Sequence, residues 1–263
     1  MPRTLKSVPF FFTAGGAGTN IVTTSPGAVG NNVIDSFTNG NCYLESAWVA
    51  GATTDFLRIR SGRLHDSQQG IRLQAGGNLR SNLLPWPTNQ KLYSGDNLTV
   101  EIDATGAGSG GVMLTYGFDD LGGANQTLAS WADISGRIQN IMGQEVDVTA
   151  SATIGSVGAG VALNAFADNW KAGDQYALLG YTSASAILGY LLNGTNTSGQ
   201  DIGFPGDQDP RETRDYFVRM SNFTGRPCIP LIDGNNKGST VLKAVDIAAS
   251  TACKVTLILA QLG

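Results

Sequence analysis

The chain has 263 residues, 41% of them hydrophobic and only 14% charged, with a formal net charge of −4. That length suits one large domain or two of ordinary size, and the slight acidic excess argues against general attraction to nucleic acid. No apolar run is long enough for a membrane helix and no secretory pattern opens the sequence, so folding in the cytosol is the expectation.

Along the chain, period-two alternation dominates. Leu57 and Ile59 alternate with Arg58 and Arg60, and Leu98, Val100 and Ile102 alternate with Thr99, Glu101 and Asp103. Such a pattern gives strands with one face in a core. The stretch Val112 to Phe118 is nearly all apolar, which places it centrally in a sheet. Gly122 to Gln144 reads as a connector in which Leu128, Trp131, Ile134, Ile138 and Ile141 recur at helical spacing, despite Gly136. Beyond it, Val241 to Ile247 alternates again and Val255 to Ala260 is a second apolar, central strand. Turn signals (Gly15-Gly16, Ser25-Pro26-Gly27, Asn39-Gly40, Gly76-Gly77-Asn78, Asp233-Gly234-Asn235) separate these runs, as in an all-β sandwich.

Parts of the two halves echo each other. Trp48-Val49-Ala50-Gly51 before Asp55–Ile59 matches Trp170-Lys171-Ala172-Gly173 before Gln175–Leu179, 122 residues on. Leu92–Asn97 followed by Leu98–Asp103 matches Leu231–Asn236 followed by Val241–Asp246, and each half closes on an apolar strand. The expectation is an all-β chain of two tandem sandwiches, over residues 1–121 and 145–263, joined by a partly helical connector over 122–144. A repeat this long is a whole domain, too large for a solenoid unit.

Candidate chemistry is sparse. The one histidine, His65, lies among Arg58, Arg60 and Arg63 with no nucleophile motif nearby. Cys42, Cys228 and Cys253 are too dispersed for zinc and suit free thiols in a reducing compartment. Asp207, Asp209 and Glu212, with Asp215, offer oxygens that a calcium ion could use, although they lack the EF-hand pattern and a solvated acidic loop explains them better. The glycine-rich stretches lack the Gly-Lys-Ser/Thr ending of a phosphate loop. No catalytic residue, cofactor or resident metal is therefore expected. Residues 58–80 are locally basic and 201–215 locally acidic, so the two regions could face each other between neighbouring copies.

The tandem arrangement, the copy length near 120 residues and the connector resemble the double jelly-roll major capsid proteins of icosahedral bacterial and archaeal viruses. The resemblance is architectural and rests on no signature motif. It implies two jelly rolls, and a homotrimer whose six sandwiches form a pseudo-hexagonal capsomer. The partners it implies are neighbouring capsomers, other capsid proteins and an internal membrane, without specific nucleic-acid binding. It also implies assembly in the host cytoplasm and residence in the virion. Interface candidates are Arg58, Arg60, Arg63, Trp86, Phe204, Asp207 and Asp209, and residues 192–215 are the one candidate for an outward decoration. The alternative is a carbohydrate-binding or adhesin sandwich, such as a phage spike or fibre module, using Trp48, Trp86, Trp131 and Trp170 as sugar platforms.

Overall fold

The computed structural model describes residues 3–17, 20–22, 32–34, 40–51, 54–64, 70–74, 82–83, 89–119, 126–163, 170–206 and 209–263. In the first half these form β1 (Thr4–Ala14), β2 (Asn20–Val22), β3 (Asn32–Val33), β4 (Cys42–Ala50), β5 (Thr54–Arg60), β6 (Ile71–Gln74), β7 (Asn82–Leu83), β8 (Lys91–Leu92), β9 (Asn97–Ala104) and β10 (Gly108–Phe118). One sheet runs β1-β10-β4-β7, with β8 also on β4, and the other runs β2-β9-β5-β6, with β3 also on β9. If β7 and β8 share one position and β3 is an extension, eight strands stand in the orders 1-8-3-6 and 2-7-4-5. This is the jelly-roll arrangement.

The second half repeats it. After β11 (Leu128–Ala129) come β12 (Ile138–Thr149), β13 (Val161–Ala162), β14 (Gln175–Ser183), β15 (Ile187–Asn193), β16 (Ile202–Gly206), β17 (Ile229–Asp233), β18 (Val241–Val245) and β19 (Ala252–Leu262). Their sheets run β11-β17-β14-β19-β12 and β13-β18-β15-β16, so apart from the added β11 the orders are again 1-8-3-6 and 2-7-4-5. The chain is all-β and built from two jelly-roll sandwiches.

Alternation explains the two cores. Leu57, Ile59, Leu98, Val100 and Ile102 meet Phe10, Val112 and Leu114 inside the first sandwich. Tyr176, Tyr181, Tyr190, Leu192, Phe204, Val255 and Leu257 fill the second. The apolar strands β10 and β19 lie centrally, each between two neighbours. The sandwiches are stacked as well as joined. Trp48 and Ala50 on β4 and Met113 on β10 point away from the first core and pack on Leu188, Leu191 and Val245 of β15 and β18. Four sheets thus lie in the order β2-β9-β5-β6, β1-β10-β4-β7, β13-β18-β15-β16, β11-β17-β14-β19-β12.

The connector is less helical than its spacing predicts. Ser130 caps a single turn, α1 (Trp131–Ile134), through a capping box with Asp133, and a 3₁₀ turn over Ser135–Arg137 follows. At Ile138 the chain enters β12, where a twelve-residue antiparallel ladder with β19 outcompetes a helix already weakened by Gly136. Leu128, Trp131, Ile134 and Ile138 still reach the second core, whereas Ile141 is 58% exposed.

The described parts of 192–215, residues 192–206 and 209–215, are built into the second sandwich and do not form an outward decoration. Leu192, next to last in β15, lies in the core, and 202–206 form the buried strand β16. Asp209 then caps α2 (Pro210–Thr213) with Pro210 in the first turn, and α3 (Tyr216–Thr224) ends at Gly225 in the left-handed conformation. Tyr216, Phe217 and Met220 of α3 are buried in the second core.

Candidate functional site

Two of the three sequence echoes fall on matching elements. Gly95 and Gly234 both stand in the turn before the seventh strand, β9 or β18, and the closing strands β10 and β19 correspond. The Trp-x-Ala-Gly echo does not. Trp48 lies near the end of β4, whereas Trp170 precedes β14, the equivalent third strand. Both indoles are 4% exposed, which removes them as sugar platforms; Trp170 donates to Gln144 Oε1 at 2.8 Å. Trp131 packs against the second core. Trp86, His65 and Asp207 lie outside the described residues.

The seam between the sandwiches is the most extensive functional-scale feature. A side chain at Gly189 would strike Met113 and the Phe204 carbonyl, and one at Gly111 would strike Leu188, so absent Cβ atoms let the second and third sheets approach closely. Fully burying side chains such as Met113, Leu188 and Leu191 contributes roughly 1.5–3 kcal/mol each, more than an exposed ion pair supplies. A polar rim fixes the register. The Ser7 N–H donates to Asp201 O at 2.8 Å, the Gly203 N–H donates to Ser7 Oγ at 2.7 Å, and Tyr216 Oη donates to Ser46 Oγ at 2.9 Å.

A buried charge cluster closes the same seam. Glu45 of β4, fully buried, pairs with Arg3 and with Arg226 from the second sandwich at 3.3 Å, while Arg3 also reaches Asp119 at 2.9 Å. Arg226 lies 3.6 Å from the centre of the Tyr43 ring. Burial pushes the Glu45 pKa up, and the two guanidinium groups offset only part of that shift. Cys228 is buried nearby and its thiol is pushed up to about 11 by burial. All three cysteines are free and buried.

Several of the sequence-predicted contact residues have partners within the chain. Arg58 and Arg60 both grip Glu101 across the β5–β9 ladder, with Arg58 Nε donating at 2.6 Å and Arg60 NH2 at 2.6 Å. Burial alone would raise the Glu101 pKa, but these hydrogen bonds and charges hold it below the usual carboxylate range. The basic tally over 58–80 omits Glu101, which lies far along the sequence and directly across the sheet. Arg63 is exposed, 5.7 Å from the Tyr93 ring centre. Phe204 is 0% exposed, packed on Tyr181, Tyr190 and Phe217; it is a core residue and not a contact.

The acids of 201–215 that are described are also tied within the chain. Asp201 meets Lys243 at 3.0 Å, Asp209 meets Arg211 at 2.7 Å, and Arg219 meets Glu212 at 2.9 Å and Asp215 at 3.2 Å. As a calcium set, Asp209 and Glu212 are therefore turned toward arginines, and no cluster of three or more potential metal-ligating side chains occurs among the described residues.

No protein-family model matches the chain, and no curated protein matches it. Among solved structures, the PBSX exported protein XepA covers 95% of this chain and 85% of its own length at 10% identity, with a TM-score of 0.28. A chain from the atomic structure of Sulfolobus Turreted Icosahedral Virus covers 100% and 91% at 10% identity, with a TM-score of 0.24. The major capsid protein P2 from bacteriophage PM2 covers 99% and 98% at 12% identity, with a TM-score of 0.24. At these scores the fold assignment rests on the strand order described above.

Proposed function

We propose that this chain is a structural subunit of a virus shell, a major capsid protein that forms homotrimeric, pseudo-hexagonal capsomers in the virion after assembly in the host cytoplasm. The observation that carries this reading is the repetition of one jelly-roll strand order in both halves of a single chain, fused through a buried seam. Such a unit gives one polypeptide two versions of every flank, which suits closed surfaces made from many modest contacts. Its cysteines and the Trp48 and Trp170 indoles are used up in packing.

The test is size-exclusion chromatography with light scattering, followed by electron microscopy of the purified full chain. Trimers and closed or sheet-like particles are expected. A monomer at every concentration, with no ordered assembly, would overturn the reading.

A further inference from the structure

The two sandwiches treat the same strand differently. β1 and β12 are each the first strand of a jelly roll and lie at the edge of a sheet, eleven and twelve residues long. A long edge is a template for another strand unless something blocks it. The β1 edge is blocked from within. Leu5 N–H donates to Gln126 Oε1 at 2.7 Å, Gln126 Nε2 donates to Leu5 O at 2.6 Å, Ser7 N–H donates to Asp201 O at 2.8 Å, and Pro9 has no N–H to offer.

The β12 edge receives no such cover among the described residues. The Ile141 N–H donates to its own neighbour, Asn140 Oδ1, at 2.9 Å, and Gln144 Nε2 donates to the adjacent Glu145 O at 3.0 Å. Ile141, Gly143, Glu145, Asp147 and Thr149 are exposed, alternating with buried Gln144, Val146 and Val148. Glu145 and Asp147 share one cation, Lys254, at 2.8 and 3.8 Å, which leaves one negative charge in excess.

The contact that seals β1 shows what fits. There, the start of the fifth strand of the second sandwich, Asp201 to Gly203, bonds Ser7 of the first strand of the first sandwich. The fifth strand of the first sandwich is β6, at a sheet edge among the described residues, with Arg72 exposed and 4.8 Å from the Phe56 ring centre. The Arg72 charge is opposite to that of the β12 acids.

We infer that the β12 edge docks the β6 edge of a second copy of this chain, repeating between molecules the contact that joins the sandwiches within one. This names a partner surface for the self-assembly proposed above and rests on that reading. The contact is heterologous: each chain offers one β12 and one β6 edge, so successive copies add head to tail and form a ring where the rotation between them closes.

The experiment uses the full chain and light scattering across a concentration series. Two variants are made, Glu145→Lys with Asp147→Lys, and Arg72→Glu, each checked for wild-type circular dichroism and thermal unfolding. Ile141→Lys serves as a second β12 probe without charge reversal of the acids. Each is expected to weaken self-association at least tenfold. Mixing the two charge-reversed chains should restore assembly in strict alternation, because both contacts between unlike chains are complementary while those between like chains repel. Carrying both reversals in one chain should restore assembly. If the wild type assembles and every variant assembles equally well, this docking is wrong and the shell reading stands. If the wild type never associates, both fall.

Discussion

Glu101 and Glu45 stand on facing sheets of the first sandwich and respond to acid in opposite directions. Glu101 has a lowered pKa in the folded chain, so its contribution is fully present above the unfolded value of about 4.3 and is lost as pH falls through the folded value. Glu101→Gln should cost about 1–3 kcal/mol at neutral pH and flatten the acid limb of the stability profile, measured by denaturant unfolding between pH 3 and 7. Glu45 has a raised pKa. Its ionisation opposes folding above the folded value, and that penalty fades as pH falls toward the unfolded value. Truncating it to alanine is nonetheless expected to be severe, about 3–5 kcal/mol, because Arg3 would stay buried with Asp119 as its remaining acid partner. At the seam, Gly189→Ala should cost about 1–3 kcal/mol in thermal unfolding, since the new methyl meets the Phe204 main chain as well as the movable end of Met113.

Among the elements, β1 shows how an edge is kept from spreading. Gln126 acts as a one-residue strand, bonding both main-chain groups of Leu5. Gln126→Ala should destabilise the fold by about 1–3 kcal/mol and raise light scattering on heating, as the freed edge finds other chains. The strands themselves were legible from alternation alone, because Leu57, Ile59, Leu98, Val100 and Ile102 do line one core. Local pattern failed where a competing pairing decided the outcome, as at Ile138, where the ladder with β19 ends the helical spacing. It also failed at α2 and α3. Their signals are present in the sequence, with Asp209-Pro210 at the start, Gly225 at the end and Tyr216, Phe217 and Met220 at helical spacing, but Glu212 and Asp215 among them fit a solvated loop as well.

For the whole molecule, two sandwiches could be read from the closing-strand echoes, while their stacking could not. Stacking depends on residues that face away from their own core, and alternation assigns such residues to solvent. The available clue was β10, apolar on both faces, a pattern that requires cover on both sides. The charge arithmetic likewise lacked a third dimension: Glu101 neutralises arginines 41 and 43 residues away. The proposed docking contact therefore draws on exposed charges at two sheet edges, Arg72 at one and Glu145 with Asp147 at the other.

The greasy wall formed by Trp48, Ala50 and Met113 makes the waist of the molecule a weld and not a hinge. A nick anywhere between residues 119 and 126 would leave two fragments, each with one naked wall. Co-expressed as separate polypeptides, they should find each other and survive affinity purification as a complex, while either piece made alone should precipitate.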